Sequence, residues 1–258
     1  MIVYANKIKN RGDEMKDTVI VITGGHGGIG KIVVSNFLKQ GAKVVVLDKE
    51  DIPSKVIEEN ENYTFIKTDV TRIEDLQNAH KMIEAKYGYI NYLISMAGIN
   101  MKSEIDGIKG ITFNDIDKSI SLNLTAHIYL IKVMLDLIEK SEDISKRSIL
   151  MISSINAITR YGLPAYSAAK SGIYGFMKSI LNELGTSNIR VNTISLGTVP
   201  HMEQEIEGDE YFENYKNHLP IKSFVRPTDV YDAIYSLLEI AKGVNGQNLV
   251  LDMGQSLR

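Results

Sequence analysis

Tyr166 and Lys170 stand four residues apart in Tyr166-Ser167-Ala168-Ala169-Lys170. On a helix that spacing puts both side chains on one face. A lysine ammonium beside a phenol stabilises the phenolate and draws the tyrosine below its ordinary value of ~10. Such a tyrosine can exchange a proton with an alcohol or a carbonyl near neutral pH. The same spacing also suits an exposed lysine and a packing tyrosine, so the pair needs support from elsewhere in the chain.

That support comes from Thr23-Gly24-Gly25-His26-Gly27-Gly28-Ile29-Gly30, which follows the β-branched run Thr18-Val19-Ile20-Val21-Ile22. Glycines let a backbone turn sharply and let a pyrophosphate approach it closely. The N-terminus of a following helix would offer free N–H groups to the phosphates. Asp48 ends the next apolar run, Val44-Val45-Val46-Leu47. A carboxylate there can accept hydrogen bonds from adenosine ribose hydroxyls, or it can simply start a turn.

The elements that must position these groups alternate along the chain. Strands are expected at 18–22, 44–47, 63–66, 92–94, 149–152, 189–194 and 248–251, all apolar on both faces. Helical periodicity appears at Ile29, Val33, Phe37 and Leu38, with Gly41 as a stop. Thr71 and Glu74 form a capping-box pattern opening a helix towards Lys86. Thr112 caps a long helix to about Glu139, a further helix spans Tyr166 to Leu184, and Pro227 opens one ending near Gly243. The pattern predicts an α/β fold, a doubly wound Rossmann-type parallel sheet with helices on both faces, in one domain over 15–258. Residues 1–14 are polar and aperiodic and are read as a flexible, dispensable extension. The acidic, Tyr-containing stretch from Pro200 to Phe224 is read as a substrate loop or lid.

Composition narrows the class. Of 258 residues, 44% are apolar and 24% charged, with a net charge of −3, so there is no basic footprint for nucleic acid or anionic lipid. No cysteine is present; disulfides, thiolate metal sites and a cysteine nucleophile are excluded, and a cytoplasmic location is expected. No apolar run approaches the ~18 residues of a membrane span. His80 and His127 read as packing or surface residues, and no metal-ligand spacing occurs. The acidic run Glu203, Glu205, Glu207, Asp209 and Glu210 reads as a solvated loop face in preference to a cation site.

Together, the Thr23, Gly24, Gly28 and Gly30 turn, the Tyr166/Lys170 pair, Asn123 in Ser121-Leu122-Asn123-Leu124, and Asp69 in Thr68-Asp69-Val70 resemble the classical short-chain dehydrogenase/reductase family. The resemblance covers nearly the whole chain from Met15. Arg190-Val191-Asn192 matches the family's Arg-Val-Asn segment, and the family's serine falls on Ser154 or, one residue earlier, Ser153. Three departures stand out. The family's Asn-Asn-Ala-Gly is Ser95-Met96-Ala97-Gly98, its Pro-Gly is Leu196-Gly197, and the following threonine aligns with His201. With both asparagines lost, the bracing of the sheet must differ.

The resemblance implies an NAD(H)-dependent oxidoreductase acting on a secondary alcohol or carbonyl. Tyr166 would move the proton, and Lys170 would lower its pKa and hold the nicotinamide ribose. Ser154 would bind the substrate oxygen, and Asn123 would position a relay water. Cofactor contacts are implied at Thr23, Gly24, Gly28, Ile29, Gly30, Asp48, Asp69, Val70, Ala97, Gly98, Gly197 and Val199, with Tyr166 and Lys170. Asp48, and Gly27 where NADP-preferring relatives carry a basic residue, point to NAD. Lys49, next to Asp48, is the one cation that could favour a phosphate. His201 would either contact the nicotinamide amide or fill the missing threonine's space. A small-molecule substrate, no metal and a homo-oligomer, dimer or tetramer, complete the expectation. The competing reading is a regulatory or sensor protein that binds NAD(H) without turnover.

Overall fold

The computed structural model describes residues 15–51, 60–159, 162–200, 214 and 216–257. The expected extension over 1–14, His201, the acidic run and most of the expected substrate loop lie outside the described residues.

Seven parallel strands form one sheet in the order β3-β2-β1-β4-β5-β6-β7. They are β1 (Val19–Thr23), β2 (Lys43–Asp48), β3 (Tyr63–Lys67), β4 (Tyr92–Ser95), β5 (Ser148–Ser154), β6 (Arg190–Leu196) and β7 (Asn248–Leu251). The strand order reverses between β1 and β4, and a ligand crevice opens at the carboxyl ends beside such a switch point. The Gly-rich turn, Asp48, Ala97-Gly98 and Ser154 all follow or end strands on that side.

Alternate strand residues supply two cores. Val21, Val45, Leu93, Ile149 and Met151 face α2 (Ile73–Tyr87), α4 (Ala126–Glu139) and α5 (Pro164–Thr186). Ile20, Ile22, Val44, Val46, Ile94 and Leu150 face α1 (Gly28–Lys39) and α6 (Pro227–Tyr235). Burial on both faces is the physical reason the strands carry continuous β-branched runs. Met15 is fully buried in the second core, and its N–H donates to the Gln40 carbonyl at 3.2 Å.

Several boundaries differ from the sequence expectation. The Thr71/Glu74 capping box does not form. The Thr71 hydroxyl donates to Asp69 Oδ1 at 2.6 Å, and Asp75 in place of Glu74 reaches back, accepting the Asp69 N–H at 3.0 Å. Asp69, at the end of the strand, outcompetes the helix for the Thr71 hydroxyl. The helix carrying Tyr166 begins two residues earlier, because Pro164 suits its first position, and runs on to Thr186. The last long helix turns into a π turn, Ser236–Ile240, and stops there. The Arg190 guanidinium collects the carbonyls of Leu237 (2.8 Å), Leu238 (3.0 Å) and Val244 (3.3 Å) where the helix ends.

α3 (Phe113–Ile120), a π turn at Ser121–Thr125 and α4 form one continuous helix. Thr112 caps it, its side chain accepting the Asp115 N–H. At 27 residues it is long and apolar enough, by length and composition alone, to cross a membrane, although Lys132 and Asp136 keep it from being one continuous apolar run. Leu130, Met134, Leu137 and Ile138 bury its inner face in the first core, so here it is a core helix.

Candidate active site

β1 delivers the chain into a turn whose shape needs glycine. Gly24 has φ +68°, and a Cβ there would lie 3.0 Å from Ala97 Cα; a Cβ on Gly30 would strike the Gly24 carbonyl. The Gly27 backbone starts α1 without a side-chain cap. The first N–H groups of α1, from Gly28, Ile29 and Gly30, therefore face the crevice without intrahelical acceptors. Thr23 ties the turn to the end of β4: its hydroxyl oxygen accepts the N–H groups of Met96 (3.0 Å) and Ala97 (3.1 Å). Thr23, Val70 and Ala97 also border one tight recess with no room for a water, backed by His127, Ala126 and Leu130. A bare backbone cradle at a helix start, beside a strand-end carboxylate, fits a dinucleotide.

Asp48 stands at the end of β2, beside the glycine-rich turn. Its two oxygens accept the N–H groups of His26 (3.1 Å) and Glu50 (3.2 Å). A carboxylate has about four acceptor directions, so both oxygens keep capacity for hydroxyls. His26 locks this corner, its Nδ1 donating to the Glu50 carbonyl at 2.8 Å and its Nε2 accepting from Tyr63 OH at 2.6 Å. Asp69 is placed close by but is occupied, its Oδ1 accepting both the N–H and hydroxyl of Thr71.

Ser154, Tyr166 and Lys170 meet across β5 and α5. Lys170 is 3% exposed; its ammonium donates to the Ile152 carbonyl at 2.9 Å and stands 5.6 Å from the Tyr166 ring centre. Burial pulls Lys170 down to about 7. Tyr166 lies above its ordinary value: burial raises it most, the hydrogen bond with Ser154 lowers it, and Glu104 raises it again. This departs from the expected depression, because in the protein alone desolvation of the phenol outweighs the Ser154 hydrogen bond.

The two serines separate cleanly. Ser154 shares its hydrogen bond with the Tyr166 phenol and accepts the Asn156 N–H at 3.2 Å. Ser153 is buried, and its hydroxyl donates to the Lys170 carbonyl at 3.0 Å. Asn123 sits in the π turn, fully buried, with its amide pairing both ways with Ile99: N–H to Oδ1 at 3.1 Å and Nδ2 to the carbonyl at 2.9 Å. A Cβ on Gly98 would come within 2.8 Å of Asn123 Oδ1 and 3.3 Å of Lys170 Nζ, so Gly98, Asn123 and Lys170 converge.

Three supports were not visible in the sequence. Ser95 Oγ and His127 Nδ1 are bonded at 2.7 Å, bracing β4 against α4 where the asparagines are missing. Burial first, then the Lys170 charge, holds His127 well below its ordinary value, so it is neutral. Gln255 accepts the Thr198 N–H at 3.0 Å and steadies the turn of Gly197, Thr198 and Val199. Leu196 continues β6 by pairing with both Ser154 and Leu251. Glu104, buried beside the N-terminus of α5, is the third.

The short-chain dehydrogenase family model matches residues 18–210. Zerumbone synthase of Zingiber zerumbet is 28% identical over 94% of this chain and 96% of its own. The 3-oxoacyl-[acyl-carrier-protein] reductase of Mus musculus is 28% identical over 93% of this chain and 99% of its own. A short-chain dehydrogenase from Leptospira borgpetersenii, solved with bound NAD+, superposes with a TM-score of 0.83 at 26% identity, covering 96% of each chain. The family match spans about three quarters of the chain, and the chain belongs to the short-chain dehydrogenase/reductase family of oxidoreductases.

Proposed function

We propose that the protein interconverts a secondary alcohol and a carbonyl using NAD(H), with Tyr166 as the proton donor and acceptor. The convergence of Ser154, Tyr166 and Lys170 beside the glycine cradle carries this reading. When bound, the nicotinamide carries the hydride. The α1 N-terminus binds the pyrophosphate, Asp48 the adenosine ribose, and Asp69 with Val70 border the adenine. Ala97, Gly98, Gly197 and Val199 border the nicotinamide half. Ser154 donates to the substrate oxygen and holds it against the Tyr166 phenol. Lys170 binds the nicotinamide ribose and favours the phenolate during alcohol oxidation. Asn123 spends its side chain on Ile99, so a relay water there is held by a π-turn carbonyl. The enzyme works as a homo-oligomer; the edge strand β7 leaves Leu249 and Val250 exposed for a second copy.

Absorbance of NADH, followed against secondary alcohols, ketones and sugars, tests the reading. Turnover of at least one class that disappears in Tyr166→Phe supports it. Tight NADH binding with no turnover across the panel would instead establish the sensor reading.

A further inference from the structure

Glu104 lies in the 3-10 segment Lys102–Lys109 after β4 and is 1% exposed. Carboxylates are almost never so buried unless a specific contact holds them. Its Oε2 accepts the backbone N–H of Tyr166 at 3.0 Å, across 62 residues of sequence. Tyr166 is the third residue of α5, the position whose N–H an N-cap side chain normally satisfies. The residue at the cap is Leu163, which has no side-chain acceptor to offer. Glu104 supplies from outside what Leu163 cannot, and the positive end of the helix favours its charge.

The segment is anchored on its other side as well. The neighbouring Ser103 hydroxyl donates to Asp115 Oδ2 at 2.6 Å, in the first turn of α3. Residues 103 and 104 therefore pin the segment between the helix that leads to Asn123 and the helix that carries Tyr166 and Lys170. Glu104 Oε1 is buried with no hydrogen-bond partner among the described residues. An apolar residue would fill this space without that desolvation cost, so the carboxylate needs a reason to be there.

We propose that Glu104 is a positioning residue of the active site, capping the helix that carries Tyr166 and Lys170 and placing a negative charge within reach of the phenol. The inference rests on the proton-transfer role given to Tyr166 above. Among the described residues, the groups that face the phenol are the neutral Ser154 hydroxyl from β5, the Lys170 ammonium one turn along α5, and Glu104 from the 102–109 segment. Asp115 of α3 is engaged by Ser103 and by Thr112 through its N–H. Burial raises the phenol most and Glu104 adds to it, against the Ser154 hydrogen bond that lowers it, so Tyr166 keeps its proton in the protein alone.

Glu104→Gln keeps an acceptor for the Tyr166 N–H and removes the charge; Glu104→Ala removes both. The ionisation of Tyr166 is read without cofactor, as the 295 nm titration of each protein minus that of its Tyr166→Phe version. The midpoint should fall by ~0.5–1 pH unit in Glu104→Gln, with a melting temperature near wild type. Glu104→Ala should melt several degrees lower, the effect of a lost cap. An unmoved midpoint in Glu104→Gln overturns the charge, and an unmoved melting temperature in Glu104→Ala overturns the cap. Neither readout needs turnover, so an enzyme that retains activity as Tyr166→Phe would sink the proposed function separately.

Discussion

Asp48 Oδ2 accepts the backbone N–H of His26 at 3.1 Å, fixing the carboxylate at the end of β2 to the glycine-rich turn. A carboxylate held this way cannot swing aside for a phosphate. At ~4 Å and an effective dielectric near 20, each unit charge pair would repel by about 4 kcal/mol. Salt and rearrangement leave ~2–3 kcal/mol, or roughly 30–150-fold in affinity. Of the described cations here, Lys49 lies 3.9 Å from Glu50 and Lys67 is paired with Asp51 at 2.7 Å. We expect kcat/KM to favour NAD(H) over NADP(H), with Asp48→Ala narrowing the gap mainly by weakening NAD(H). A wild-type preference for NADP(H) would refute this.

Tyr166→Phe should fold and bind NADH, seen by fluorescence, while turnover drops at least ~10²-fold. Burial raises the phenol, so its proton-accepting form grows in on the alkaline side. Alcohol oxidation should therefore accelerate with rising pH and carbonyl reduction should slow. The same limb appearing in Tyr166→Phe would assign it to another group.

Ser154→Ala should lose turnover, because its hydroxyl faces the phenol. Ser153→Ala should instead lose stability, by about 1 kcal/mol, since it removes a buried hydrogen bond to the Lys170 carbonyl. Steady-state rates and thermal melts of the two variants separate these roles. A greater loss of rate at Ser153 would reverse the assignment.

Lys170→Met should abolish activity yet raise the melting temperature. Burial lowers Lys170 from 10.5 in the open chain to about 7 in the fold. Below pH 7 both states are protonated, and the fold bears the full cost of the buried ammonium. Between 7 and 10.5 the unfolded chain binds more protons, so wild-type stability rises with pH. The advantage of Lys170→Met should be greatest at acid pH and shrink towards pH 10. Melts across that range, without cofactor, test the trend, and a constant difference would contradict it.

The sheet and its ligand crevice were legible because doubly buried strands need runs such as Val44-Val45-Val46-Leu47, and because a phosphate cradle demands glycine. Strand alignment favours Ser154 but leaves Ser153 open in sequence, since adjacent strand residues differ only in the face they take. Glu104 gave no signal at all; its partner is a backbone N–H, and any residue at 166 would have provided one. The Ser95/His127 bond was equally hidden, because neither residue is unusual without the other, although the missing asparagines did announce that something must replace them. The failed capping box at Thr71 shows a local pattern yielding to a nearer acceptor, Asp69.

The π turn at Ser121–Thr125 amounts to one residue more than a straight helix would need. The stretch before it and the stretch after it are consequently out of phase by about a third of a turn. Taking one residue out between Leu122 and Thr125 would let Phe113–Glu139 wind evenly, but the reading frame of the inner stripe would slip. Leu130 and Met134 could keep their seats in the core only if Asn123 rotated away from Ile99, and the reverse would hold as well. The helix thus carries its own gauge of length, and a shortened version must sacrifice either the core or the crevice.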